Sequence, residues 1–194
     1  MKKISIFVVL IIVVGAFVFF VYAPNSDKYT NTTAANTYSS QSFGFKITLP
    51  DGYVADEAYL NQDLGPGKEI PGVAFRIPAA LSQGTNLSSD SHVAIEELSQ
   101  VACTPADFLD APSNSHSVTL GGNSFITATE SGAAAGNLYE ETVHVIQKED
   151  RCYSVRYFIH STNIANYDSG TVKEFDRQAL TAGFDSIASS LVLY

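Results

Sequence analysis

The chain has 194 residues, 45% of them apolar, and a formal net charge of -9, which suffices for one folded domain with its own core. An acidic chain is repelled by phosphate backbones and anionic lipid headgroups, which speaks against nucleic acid as a partner. Solubility alone accounts for such a charge; attraction of a cationic ligand or a basic partner is compatible with it, and nothing in the sequence localises it.

Residues 4–23 form one uncharged, mostly apolar run behind Lys2 and Lys3. As a helix, about 20 residues rising ~1.5 Å each span roughly 30 Å, the thickness of a bilayer's hydrocarbon core. The positive-inside bias keeps the two lysines in the cytoplasm and places everything after Tyr22 on the extracytoplasmic side, periplasmic or extracellular. A cleaved signal peptide is the alternative. Val21-Tyr22-Ala23 offers small residues for cleavage, while the length of the run and Pro24 oppose it. Residues 1–23 are therefore expected to anchor the protein, residues 24–40, rich in Ser, Thr and Asn, to form a polar tether, and residues 41–194 to form a single domain. Without Lys2 and Lys3 the exported part carries 9 basic against 20 acidic residues, or -11.

Phe43, Phe45, Ile47 and Leu49 alternate with Gly44, Lys46 and Thr48, the period-2 pattern of a half-buried strand, closed by Pro50-Asp51-Gly52. Residues 73–77 predict a second strand, stopped by Pro78, and residues 61–72 and 78–90 read as irregular connections. His92 to Glu96 alternate again. Thr104-Pro105-Ala106-Asp107 has the chemistry of a helix start. Gly121-Gly122-Asn123 predicts a hairpin turn, and the Gly132 to Gly136 stretch marks the next connection.

Residues 139–146 and 152–159 predict a hairpin. With Gln147 opposite Arg151, Val143, Val145 and Tyr139 face Val155, Tyr153 and Ile159 on the core side. The other face then carries Glu140, Thr142, His144 and Ile146 against Phe158, Arg156, Ser154 and Cys152. Thr171-Val172-Lys173-Glu174 reads as a capping box that opens a last helix with Phe175, Leu180, Phe184 and Ile187 on its apolar stripe. Leu191 to Leu193 add a closing strand.

Cys103 and Cys152 are the only cysteines. An oxidising compartment lets them pair, two buried free thiols remain the alternative, and no C-x-x-C spacing suggests zinc. His92, His116, His144 and His160 lack metal-ligand spacing, and no cofactor is expected. The candidate ligand-binding set is Glu140, His144, Arg156 and His160 on the hairpin, with Tyr167 on the following polar loop. An ordinary polar sheet face, with Arg156 pairing Glu140, is the simpler reading of the first four. Asp51, Asp56, Glu57 and Asp63 do not have calcium-loop spacing and read as solvated charges.

Residues 38–53, Tyr-Ser-Ser-Gln-Ser-Phe-Gly-Phe-Lys-Ile-Thr-Leu-Pro-Asp-Gly-Tyr, and the closing Phe184-Asp185-Ser186-Ile187-Ala188-Ser189-Ser190-Leu191 resemble the two ends of PsbP/Mog1-like domains. That resemblance implies an α+β domain, an α/β/α sandwich around an antiparallel sheet, serving as a non-enzymatic binding or assembly module. It supplies no catalytic motif to transfer. The expected protein is thus a membrane-tethered extracytoplasmic binding or assembly module for a small ligand or protein partner. The alternatives are a hydrolase of unrecognised type and an inhibitor of a basic enzyme such as lysozyme.

Overall fold

A computed structural model of the chain describes residues 36–194. The N-terminal apolar run and the expected anchor lie outside the described residues. Among the described residues no helix is long and apolar enough to cross a membrane.

In chain order the strands are β1 (Asn36–Ser40), β2 (Phe45–Leu49), β3 (Val54–Asp56), β4 (Leu60–Asn61), β5 (Ile70–Arg76), β6 (His92–Leu98), β7 (Ser113–Leu120), β8 (Asn123–Ala134), β9 (Asn137–Lys148), β10 (Arg151–Thr162) and β11 (Val192–Leu193). Two α-helices, α1 (Ala79–Ser82) and α2 (Arg177–Ser189), complete an antiparallel, sheet-rich domain. The main sheet runs β3-β5-β6-β10-β9-β8-β7, with β4 paired to β5, and a small sheet runs β1-β2-β11.

Directly opposed residues of an antiparallel pair share a face. One face of the main sheet, with Phe75, Ile95, Val155 and Tyr157, packs against α2 and the small sheet through Leu180, Phe184, Ile187, Phe45 and Ile47, all buried. The other face holds a second, smaller core of Ile70, Phe108, Leu109, Ala128, Val143, Val145 and Cys152. Among the described residues no long helix covers that second face. It is covered by a strap, residues 99–112, containing a single 3-10 turn, Pro105–Asp107. In place of the helix expected to start at Thr104, only this turn forms, with the Thr104 N–H and hydroxyl both donating to Asp107 Oδ2 at 2.8 Å. Cys103 of the strap is disulfide-bonded to Cys152 of β10.

Three further sequence expectations are corrected by the structure. The last residues of the expected tether form β1, which pairs with β2 from Asn36↔Leu49 to Ser40↔Phe45. Its composition gives no alternation, because the backbone ladder and the edge-on packing of Tyr38 on Phe75, centroids 5.1 Å apart, hold it. Helix α2 begins at Arg177, capped by Asp176 accepting from the Ala179 N–H at 2.9 Å, and Thr171 takes no part. The N–H groups a helix would need at Lys173 and Phe175 donate instead to the Gly84 carbonyl and the Asn86 side chain. Finally, the β9–β10 hairpin closes through a two-residue turn with Glu149 at φ 56°, so Arg151 opposes Lys148 and the register shifts by one. Val143 and Val145 face Arg156 and Ser154, while His144 faces Val155 and Glu140 faces Ile159.

Candidate binding trough on the polar face

The register shift divides the hairpin set between the two faces. Arg156 and His160 lie on the strap side, and Glu140 and His144 on the helix side. Glu140 pairs with Arg177 at 2.7 Å at the start of α2, not with Arg156. His144 is buried against α2's face of the sheet, where its Nδ1 and the Thr127 hydroxyl share a hydrogen bond of 2.8 Å. Burial pushes its pKa down to about 4, so the ring is neutral at pH 7. His160 Nδ1 meets the Asp90 carboxylate at 2.9 Å, and its ring stacks on Tyr139 with centroids 4.6 Å apart. Tyr167 follows the 3-10 turn Ile164–Asn166 and makes no side-chain hydrogen bond with the other four.

Arg156 is the centre of the polar face. It is 1% exposed, and each of its three nitrogens donates once: Nε to Glu96 Oε1 at 2.8 Å, Nη2 to the Phe108 carbonyl at 2.6 Å, and Nη1 to Glu141 Oε2. Burial works against its charge, but Glu96 and Glu141 outweigh that and raise its pKa. Burial also raises the Glu141 pKa, with Arg156 opposing and Asp63 adding to the rise. Glu96 Oε1 collects two further donors, the Tyr59 hydroxyl at 2.8 Å and Asn61 Nδ2 at 3.2 Å. A guanidinium so enclosed is a fixed floor, not a free anion receptor.

Above this floor lie three cavities whose linings overlap. One, of about 420 Å³, lies under the 56–63 segment and is lined by Tyr59, Arg76, His92 and Phe158 among others. It shares Asp63 and Arg156 with a narrow neck of about 40 Å³. The neck shares Leu64, Leu109 and Asp110 with a third cavity of about 480 Å³ beside the strap. Sharing walls in this way, the three form a row, the trough, between residues 56–70 and the strap. Arg76 at its rim is held by Asp56 at 2.8 Å, and that contact keeps the Asp56 carboxyl below its usual range.

His92 is 8% exposed and stacked on Phe158, ring centroids 5.0 Å apart, with Tyr59 edge-on. Its Nδ1 lies 2.7 Å from the Asp90 carbonyl, which can only accept, so Nδ1 carries the proton. Burial lowers the pKa of the ring, and the bare Nε2 has no partner. Among the described residues, no group of three or more His, Cys, Asp or Glu side chains is placed to hold a metal ion.

Sequence reasoning reached only Arg156 of this site, and placed Asp56 and Asp63 among solvated loop charges. The signal it had was Glu96: a carboxylate inside an apolar strand, His-Val-Ala-Ile-Glu-Glu-Leu, must find a buried cation.

No family model matches the chain, and no curated protein matches its sequence. Solved structures are similar to it in part. A Bacteroides thetaiotaomicron protein is 11% identical with a TM-score of 0.47, covering 82% of this chain, which spans 48% of that one. The cyanobacterial PsbP of Synechocystis sp. PCC 6803 is 15% identical with a TM-score of 0.44, over 82% of this chain and 92% of that one. LpqN, involved in cell envelope biogenesis of Mycobacterium tuberculosis, is 13% identical with a TM-score of 0.36, over 82% and 85%.

Proposed function

We propose that the protein is a membrane-tethered extracytoplasmic binding or assembly module, without catalysis, whose binding surface is the trough on the strap side of the sheet. The anchor at residues 1–23 belongs to this reading, as does the α/β/α sandwich, in which α2 makes one outer layer and the strap stands in place of the other. The observation that carries it is the closed floor. Arg156 is tied to Glu96, Glu141 and the Phe108 carbonyl through all three of its nitrogens, which holds the trough in shape before any ligand arrives. The apolar run behind Lys2 and Lys3 supports the tether.

The Asp90–His160 contact favours a second reading, hydrolysis, since a carboxylate orients an imidazole there. Against it, His160 Nε2 is buried without a partner and its ring is stacked on Tyr139.

A nuclear magnetic resonance fragment screen on the full chain tests the proposal. Hits are expected to shift the amides of Asn61, His92 and Phe158. Hits that gather on the α2 side, or hydrolytic turnover that His160→Ala abolishes, overturn it.

A further inference from the structure

We infer that the trough takes a linear polyamine, an inference that rests on the trough being the binding surface. Among the side chains lining the three cavities, carboxylates well outnumber the cations Lys68, Arg76 and Arg156. Two of those cations are already spent, Arg76 on Asp56 and Arg156 on Glu96 and Glu141. Asp63 and Asp110 accept no side-chain hydrogen bond, and Glu130 accepts only the Ala111 N–H. The trough therefore presents negative charge in excess of what its own cations neutralise, and its complement is a cation.

His92 makes the same point independently. It is buried, aromatic-flanked and lines the 420 Å³ cavity, yet its Nε2 acceptor has no donor. A buried acceptor left open costs free energy until a donor arrives, and an ammonium N–H is such a donor. Tyr59 and Phe158, the rings packed on His92, add faces and edges of the kind that surround ammonium groups.

The shape narrows the class further. The 40 Å³ neck mixes the apolar Leu64, Phe108 and Leu109 with the acidic Asp110 and Glu130. Methylene segments suit the first and ammonium groups the second. A linear chain that alternates the two matches both kinds of lining.

The test is calorimetric titration of spermidine into the full, oxidised chain in non-ionic detergent at low ionic strength, with amide shifts followed in parallel. Binding is expected, with shifts at Asn61, His92 and Phe158, and it is expected to weaken as salt is raised. Asp63→Asn and Glu130→Gln are each expected to weaken it about threefold to fivefold, the worth of one partly exposed charge contact. Glu174→Gln, which removes the same charge from an exposed position outside the trough, is expected to leave it unchanged. Equal weakening by all three overturns the inference, because the protein then acts only as a diffuse polyanion. His92→Phe removes the Nε2 acceptor and is expected to weaken binding; Asp63 and Glu130 are exposed or half-buried, so their variants decide the matter if His92→Phe does not fold.

A trilysine peptide separates a free polyamine from the lysine side chains of a partner. Spermidine is expected to bind more tightly, and the reverse order overturns the inference. Citrate and maltose serve as anionic and neutral probes. If they shift the trough amides and spermidine does not, the trough stands and the polyamine falls. If no probe shifts them, both fall.

Discussion

The Arg156 guanidinium of β10 and the Glu96 carboxylate of β6, diagonal neighbours across the sheet, form an ion pair of 2.8 Å in which the side chains keep 2% and 0% of their surface. Removing one partner strands the other charge in an apolar setting. Arg156→Met is therefore expected to cost about 3–5 kcal/mol in urea denaturation. The double variant Arg156→Met with Glu96→Gln is expected to cost less than the two single changes added together. Simple additivity would show that the pair is not coupled as described.

The Cys103–Cys152 bond closes a loop of sequence separation 49 and ties the strap to the sheet. In the chain-entropy model such a loop is worth about 4 kcal/mol. Cys103→Ala with Cys152→Ala is expected to lower the urea midpoint accordingly. It is also expected to open residues 99–112 to limited proteolysis before the rest of the domain. A strap that stays resistant in the double variant would mean that Phe108 and Leu109 alone hold it down.

His144 gives stability a pH dependence whose sign is set by its burial. Its folded pKa, about 4, lies below the ordinary value of 6.5. The unfolded chain therefore takes up a proton between those values while the folded chain does not. The contribution is full above about pH 6.5 and is lost as pH falls toward 4, by roughly 3 kcal/mol in all. His92, also lowered by burial, adds to the loss in the same direction. Thermal melts across this range are expected to show a falling midpoint, with a shallower slope in His144→Gln. An unchanged slope would place the titration elsewhere.

Two capping positions compete for the last helix, and the structure chooses Asp176. Asp176→Ala is expected to cost about 1 kcal/mol, lowering the melting temperature by roughly 2–4 °C. Thr171→Ala, at the position the sequence pattern favours, is expected to change almost nothing. The opposite ranking would move the helix start back to the 171–174 segment.

The strands that alternate cleanly were legible from sequence, as β2 shows with Phe45, Ile47 and Leu49 buried in turn. So was the apolar stripe of α2, because Leu180, Phe184 and Ile187 pack on one side only. Strand β10 was harder. As an interior strand buried on both faces, it carries Tyr153, Val155 and Tyr157 on one side and Cys152, Ser154 and Arg156 on the other, so polarity does not tell inside from outside. The wrong register followed from a three-residue turn, Lys148 to Asp150, where the chain turns in two residues. The Cys103–Cys152 pairing was legible as one of two open alternatives, while the strap it fastens was not, because residues 99–112 have little periodicity and owe their place to Phe108, Leu109 and the Arg156 contact. The trough depends on strap and sheet meeting from distant parts of the chain. No local pattern announces that.

The most direct test of the trough as the binding surface is to plug it. Ala58 lines the 420 Å³ cavity, and Ala133 lines a separate surface hollow beside Arg177 and Glu140. Affinity of the best fragment hit for Ala58→Trp and Ala133→Trp, measured side by side, decides between the two surfaces. The account predicts that Ala58→Trp abolishes binding while Ala133→Trp leaves it intact. Binding that survives Ala58→Trp and is lost in Ala133→Trp would contradict it.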